Sequence, residues 1–176
     1  MSKLNLQSGF TLLEALVAIS ILMVAVAAPI TIAQKGLASA VYSKDQMVAA
    51  YLAQDAIEYI KNRRDEIALN NNYDWNDLRV FDNCLTTLHS EGCQIDTIKN
   101  SDNIEDDTDV FSASVPLKQN SDKFYQYVTG IDTKFTRQIL ITPETINGGF
   151  NKALVTVIVS WPTDNKLTVQ TNIYNY

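Results

Sequence analysis

A run of 24 residues, Phe10 to Ala33, carries a single charged side chain, Glu14, and this run restricts the fold more than any other feature of the chain. At 1.5 Å per residue it makes a helix of about 36 Å, enough to cross a hydrocarbon core of about 30 Å. Three uses of such a head compete. A cleaved secretory signal needs an apolar stretch of about 7–15 residues followed by a small-residue site, so this run is too long for one. A plain membrane anchor fits the length but has no use for a carboxylate, whose placement costs up to about 3 kcal/mol. The apolar side chains, at about 0.3–0.6 kcal/mol each, outweigh that cost, so Glu14 is tolerated in an anchor without being explained by it. The third use is a helix that first anchors and then assembles with others. Hydrophobic residues make up 46% of the chain, yet its mean hydropathy is only -0.07, because an apolar head is averaged with a polar body.

From Lys35 the chain turns polar while the helical period persists. Leu37, Val41, Val48, Leu52, Tyr59 and Ile67 recur at spacings of four, seven or eight and mark one stripe, which predicts helix to about Leu69. Asn70, Asn71 and Asn72 stop it, since Asn is a poor helix former. Residues 70–109 have no sustained period and read as an irregular connection holding both cysteines. Strand-like runs follow at Val110–Val115, Phe124–Val128, Phe135–Thr142, Ala153–Trp161 and Lys166–Tyr174. In the last two, strict alternation brackets the turn residues Pro162, Thr163, Asp164 and Asn165, the pattern of an antiparallel hairpin. The expected fold class is α+β, a long N-terminal helix whose second half covers one face of a C-terminal antiparallel sheet. The expected organisation is a leader at 1–9, a transmembrane helix at 10–34 and a soluble head at 35–176, the head divided into helix 35–69, irregular region 70–109 and sheet 110–176.

A formal net charge of -6 and a pI of about 4.7 argue against a surface built for phosphate backbones, so no nucleic-acid partner is expected. Lys61, Arg63 and Arg64 are the best local basic patch and read as a solvated face near a helix end. Cys84 and Cys93 default to one disulfide in an exported domain; free thiols and a zinc site with His89 and Asp82 or Glu91 are the alternatives. Asp102, Glu105, Asp106, Asp107 and Asp109 form an acidic cluster without the Gly and terminal Glu of a calcium loop, and read as solvated. The aromatic group Tyr73, Trp75, Phe81, Phe124, Tyr125, Tyr127, Trp161, Tyr174 and Tyr176 divides between core packing and an adhesive surface, with core packing favoured. No catalytic triad, P-loop or metalloprotease motif occurs, so no enzyme, cofactor or metal is expected.

Ser8-Gly9-Phe10-Thr11-Leu12-Leu13-Glu14 resembles the prepilin signature of type IV pilins and type II secretion pseudopilins. The likeness combines a short polar leader ending in Gly, a Phe directly after it, a Glu four residues past that Phe, and the apolar helix. It implies that a prepilin peptidase cuts between Gly9 and Phe10 on the cytoplasmic side and that the new amine of Phe10 is N-methylated. Lys3 in the leader agrees with that orientation through the positive-inside tendency. The resemblance also implies that Glu14, with Thr11 beside it, sets subunit register by meeting the N-terminal amine of a neighbour, two buried charges compensating each other. Pro29 lies earlier than the commonest helix-breaking Pro of the family; with Gly36 it makes Ala28–Gly36 the candidate for a kinked or extensible stretch. The implied partners are other pilin subunits, the prepilin peptidase, the membrane before assembly, and a pilus or secretion assembly platform. The implied location is the inner membrane with the head outside the cytoplasm, then a cell-surface pilus or a periplasmic pseudopilus. The segment Tyr51–Asp65 and the strand Val155–Trp161 resemble minor-pilin patterns, which leaves major pilin and pseudopilin as alternatives. A membrane-tethered adhesin or DNA-capture module is the rival from another class.

Overall fold

The computed structural model describes residues 11–69, 78–99, 107–146 and 149–174. The chain divides into two compact units, residues 1–45 and 46–176. One helix, α1 (Leu12–Leu69), supplies the described part of the first unit and enters the second. Its first half is rich in Ala, Leu and Ile, and its start is capped. The backbone N–H of Glu14 donates to Thr11 Oγ1 at 3.3 Å, and that of Ala15 donates to the Thr11 carbonyl at 3.1 Å, so Thr11 is the N-cap.

Among the described residues of the second unit a 3-10 segment (Leu78–Cys84) precedes eight strands. They are β1 (Cys93–Ile95), β2 (Thr108–Val110), β3 (Lys118–Gln119), β4 (Tyr125–Gln126), β5 (Ile131–Asp132), β6 (Thr136–Ile146), β7 (Gly149–Trp161) and β8 (Asn165–Tyr174). The main sheet runs β2-β1-β6-β7-β8, and β4-β3-β5 form a smaller one. Every pairing between these strands is antiparallel. The hairpin read from the alternating pattern is β7–β8, with Trp161 opposite Asn165 and Lys152 opposite Tyr174. Pro143 sits in β6 beyond Ile139, the residue that pairs with β1, and next to an irregularity at Glu144/Thr145, where a missing N–H is tolerated.

Period two puts Ile139 and Ile141 of β6 and Val155, Val157, Val159 and Trp161 of β7 on one buried face. Leu52, Ala53, Ala56, Ile57 and Ile60 of α1 join them in a single core cluster. Ala49, Ala53 and Ala56 are fully buried, and their small side chains let the helix backbone approach the sheet. Each fully buried Val, Leu or Ile contributes about 1.5–3 kcal/mol, so this face holds the head together. The predicted stripe differs at both ends: Leu37 and Val41 are 69% and 48% exposed, and Ile67 is only half-buried. The buried band starts further along, because its alanines count as core although they are weak apolar markers.

The region expected to be irregular, 70–109, contains β1 and β2 as well as the 3-10 segment. Three-residue strands are too short to show a period. A disulfide and a glycine hold them in place. Cys84 and Cys93, both fully buried, are bonded to each other and tie the 3-10 segment to β1; closing so small a ring contributes about 2–3 kcal/mol in the chain-entropy account. Gly92 has φ +69, and a Cβ there would lie 2.2 Å from the Ile139 carbonyl oxygen, so only glycine fits. Of the run Val110–Val115 only Val110 is in a strand, and of Phe124–Val128 only Tyr125 and Gln126.

Candidate assembly site

Among the described residues from Leu12 to Lys44 every side chain is exposed except Ala15, which is half-buried. An 18-residue window of this helix has a mean hydropathy of 2.6, and none of it is buried within the chain. Leu12, Leu13, Leu22, Val24 and Ile32 are each 66% exposed or more. Such a surface is unstable in water and is matched by lipid or by similar helices.

Glu14 is the only formal charge between Leu12 and Gln34 and stands three residues after the cap. Thr11-x-x-Glu14 is therefore the spacing of a capping box, and a carboxylate in the first turn also interacts favourably with the helix dipole. Sequence reasoning placed Thr11 beside Glu14 for register and missed its role as cap; the T-x-x-E spacing was the available signal. Across Ala28–Gly36 α1 is helical. Pro29 removes one N–H from the ladder. Thr31 Oγ1 donates to the Ala28 carbonyl at 2.8 Å, a side-chain bond of the kind that accompanies helix bending. A Cβ on Gly36 would meet nothing within 4 Å, so no packing inside the chain requires a glycine there. Gly9 and Phe10, the expected cleavage and methylation positions, lie outside the described residues.

In the second unit the helix is held by two ionic clusters, each built on a buried arginine, that sequence reasoning did not find. Arg137, fully buried, reaches from β6 to α1: Nη1 donates to the Leu52 carbonyl at 3.0 Å and to Asp55 Oδ2 at 2.9 Å, while Nη2 donates to the Ile95 carbonyl at 2.7 Å. Thr97 Oγ1 donates to the same Asp55 oxygen at 2.7 Å. The signal was present in the alternation, which places Arg137 on the same face as Ile139 and Ile141.

The other cluster overturns two expectations. Arg63 does not belong to a solvated basic face. It is buried, donating from Nη2 to Asp107 Oδ2 at 3.1 Å, from Nη1 to Glu66 Oε2 at 2.8 Å and from Nε to Tyr59 Oη at 3.2 Å. Asp107 is not a solvated loop acid either: it is 3% exposed and accepts the Tyr59 hydroxyl at 2.7 Å. Burial and the bond to Asp107 push the Tyr59 hydroxyl well above the usual tyrosine range. Burial opposes the charge on Arg63, but its bonds to Tyr59 and Glu66 outweigh that and hold the guanidinium more firmly protonated than usual. Asp109 is exposed, whereas Asp102, Glu105 and Asp106 lie outside the described residues. Among the described residues no three of His, Cys, Asp and Glu are grouped to hold a metal ion.

The aromatic group divides. Phe81 and Trp161 are buried, Tyr125 and Tyr127 are half-buried, and Phe124 and Tyr174 are exposed. Tyr73, Trp75 and Tyr176 lie outside the described residues.

Residues 4–28 match the family model for the prokaryotic N-terminal methylation motif. The chain carries the type IV prepilin signature. Among curated proteins and among solved structures nothing matches the chain. The prepilin signature runs into the exposed apolar half of α1, and the helix followed by antiparallel sheets is a pilin-like α+β architecture. Signature and helix together support a type IV pilin-like subunit whose precursor is membrane-anchored, processed by prepilin peptidase and assembled with other pilins.

Proposed function

We propose that this chain is a structural, non-enzymatic subunit of a type IV pilus-like filament, of the low-abundance, minor-pilin kind. Prepilin peptidase cuts between Gly9 and Phe10, the new Phe10 amine is methylated, and the helix leaves the bilayer for a filament of like helices while the head remains outside the cytoplasm. The observation that carries this reading is the methylation motif at residues 4–28 leading directly into a helix whose apolar side chains are uncovered. Glu14 then has two duties. It stands at the capping-box position within its own chain, in the first turn where its charge favours the helix dipole, and that charge meets the amine of a neighbour, which fixes axial register.

The two duties separate by substitution. Glu14→Gln keeps a side chain able to complete the capping box but removes the charge; Glu14→Ala removes both. Both variants are expected to be cleaved like the natural chain and to enter sheared filaments poorly, by tenfold or more. Mass spectrometry of the mature N-terminus and immunoblots of sheared filaments check this. Material from cells that still begins at Met1 overturns the reading, and normal incorporation of Glu14→Gln overturns the register role. The resemblance of Tyr51–Asp65 and Val155–Trp161 to minor-pilin patterns supports the low-abundance assignment. A share of sheared filament equal to that of the principal subunit would make the chain a major pilin, and dependence of protein secretion on it would make it a pseudopilin.

A further inference from the structure

One cavity of the second unit, about 500 Å³, lies between the 3-10 segment and β2. It is lined by Asp82 and Asn83 of that segment, Leu88 and His89 of the turn that follows, and Thr108 of β2. The surrounding fold fixes its walls. The Cys84–Cys93 disulfide ties the 3-10 segment to β1, and β1 pairs with β2. Asn83 Nδ2 donates to the Thr108 carbonyl at 3.0 Å and to Thr108 Oγ1 at 3.2 Å, which joins two walls directly. The His89 N–H donates to the Leu85 carbonyl at 2.8 Å, and the His89 carbonyl accepts the Gly92 N–H at 3.0 Å. The backbone of His89 is thus engaged in the turn, and its half-buried side chain is left to the cavity.

Asp82 has no account in the packing of the head. Its Oδ1 is buried without a hydrogen-bond partner, whereas buried polar atoms are nearly always paired. Enclosing a carboxylate is costly unless a donor or a cation compensates it. Among the described residues that line the cavity there is no Lys or Arg. The side chain as a whole is only half-buried, so the carboxylate is reached through the cavity. The lining then selects among ligands. An anion is repelled by Asp82, and a neutral sugar leaves its charge uncompensated. A metal ion needs more ligands than one carboxylate and one imidazole, and among the described residues no three of His, Cys, Asp and Glu are grouped for one. A quaternary ammonium is held by aromatic faces, and no described Phe, Tyr or Trp lines this cavity. A single water, with its share of about 30 Å³ of the liquid, fills little of the space.

We propose that this cavity binds a primary alkylammonium ion, with Asp82 as its counter-charge. The three N–H donors of such an ion match the acceptors of Asp82, Asn83 Oδ1 and a His89 ring nitrogen, since Asn83 Nδ2 is already engaged by Thr108. The alkyl chain lies along the exposed Leu88 toward solvent. The site goes beyond the filament reading and does not rest on it. It makes the head a receptor for a free diamine or for the lysine side chain of a peptide, which share this chemistry.

Isothermal titration calorimetry on the detergent-solubilised full-length chain tests this with butane-1,4-diamine, Nα-acetyl-lysine amide and tetramethylammonium as probes. The two primary amines should bind saturably and tetramethylammonium should not; the tighter of the two identifies the source. Asp82→Asn, which removes the charge at nearly constant shape, should weaken both primary amines about tenfold or more. Leu88→Lys, at an exposed position, should block the site by placing an ammonium in it from the chain itself, and it decides the matter should Asp82→Asn fail to fold. Absence of saturable binding, equal binding of tetramethylammonium, or primary-amine affinity unchanged in the folded variants overturns the inference and leaves the filament reading intact.

Discussion

Asp107 shows how much a single side chain decides in the head. Its carboxylate is fully buried against Arg63 and is the acceptor for the Tyr59 hydroxyl. Removing it takes from Arg63 its buried counter-charge, leaving the exposed Glu66 as an ion-pair partner, and takes from the Tyr59 hydroxyl its acceptor; breaking a buried pair in this way typically costs about 3–5 kcal/mol. Asp107→Ala should therefore lower the urea midpoint of the detergent-solubilised chain strongly, whereas Asp122→Ala, in an exposed turn, should stay within about 0.5 kcal/mol. Tyr59 of this cluster and Tyr127, whose hydroxyl donates to the Arg137 carbonyl, set a pH dependence. Tyr59 and Tyr127 both have hydroxyls raised by burial. The unfolded chain releases these protons near the ordinary value of about 10 while the folded chain retains them, so stability is complete below that pH and falls above it. Absorbance at 295 nm should show exposed tyrosines ionising first and Tyr59 and Tyr127 only as the head unfolds; ionisation of all together before unfolding would refute the buried cluster.

Within the elements, α1 joins two chemistries in one helix. Its first half is apolar on all sides and its second half is apolar on one. Gly36 is the weak point between them, since glycine inside a helix costs roughly 0.5–1 kcal/mol against alanine and no described residue would collide with a methyl group there. Gly36→Ala should raise helix content and thermal stability slightly in micelles. If Ala28–Gly36 extends or bends during assembly, the same variant should slow filament formation, and unchanged assembly kinetics would assign Gly36 no role in it. In the sheet, β7 and β8 are joined by Pro162–Asp164, where Thr163 and Asp164 have φ of 69 and 55. A β-branched residue is strained in that conformation, and the turn holds because Asn165 Nδ2 donates to the Pro162 carbonyl at 2.8 Å.

For the molecule as a whole, the proposed work depends on residues 1–34. A chain lacking them should retain the buried clusters and the disulfide of the head and lose all incorporation into filaments. A tethered adhesin or DNA-capture module would behave oppositely, since its truncated head would still bind its ligand, and a binding assay on truncated and full-length chains separates the two. The anchor run, the helix end near Leu69, the β7–β8 hairpin and the prepilin signature were legible in the sequence because each is a local, repeating or contiguous pattern. Tertiary structure alone decided which α1 residues meet the sheet, that Arg63 and Asp107 are buried partners 44 positions apart rather than solvated charges, and that β1, β3 and β5 exist at all. Strands of two or three residues show no period, and a buried ion pair looks like two surface charges until the fold brings them together.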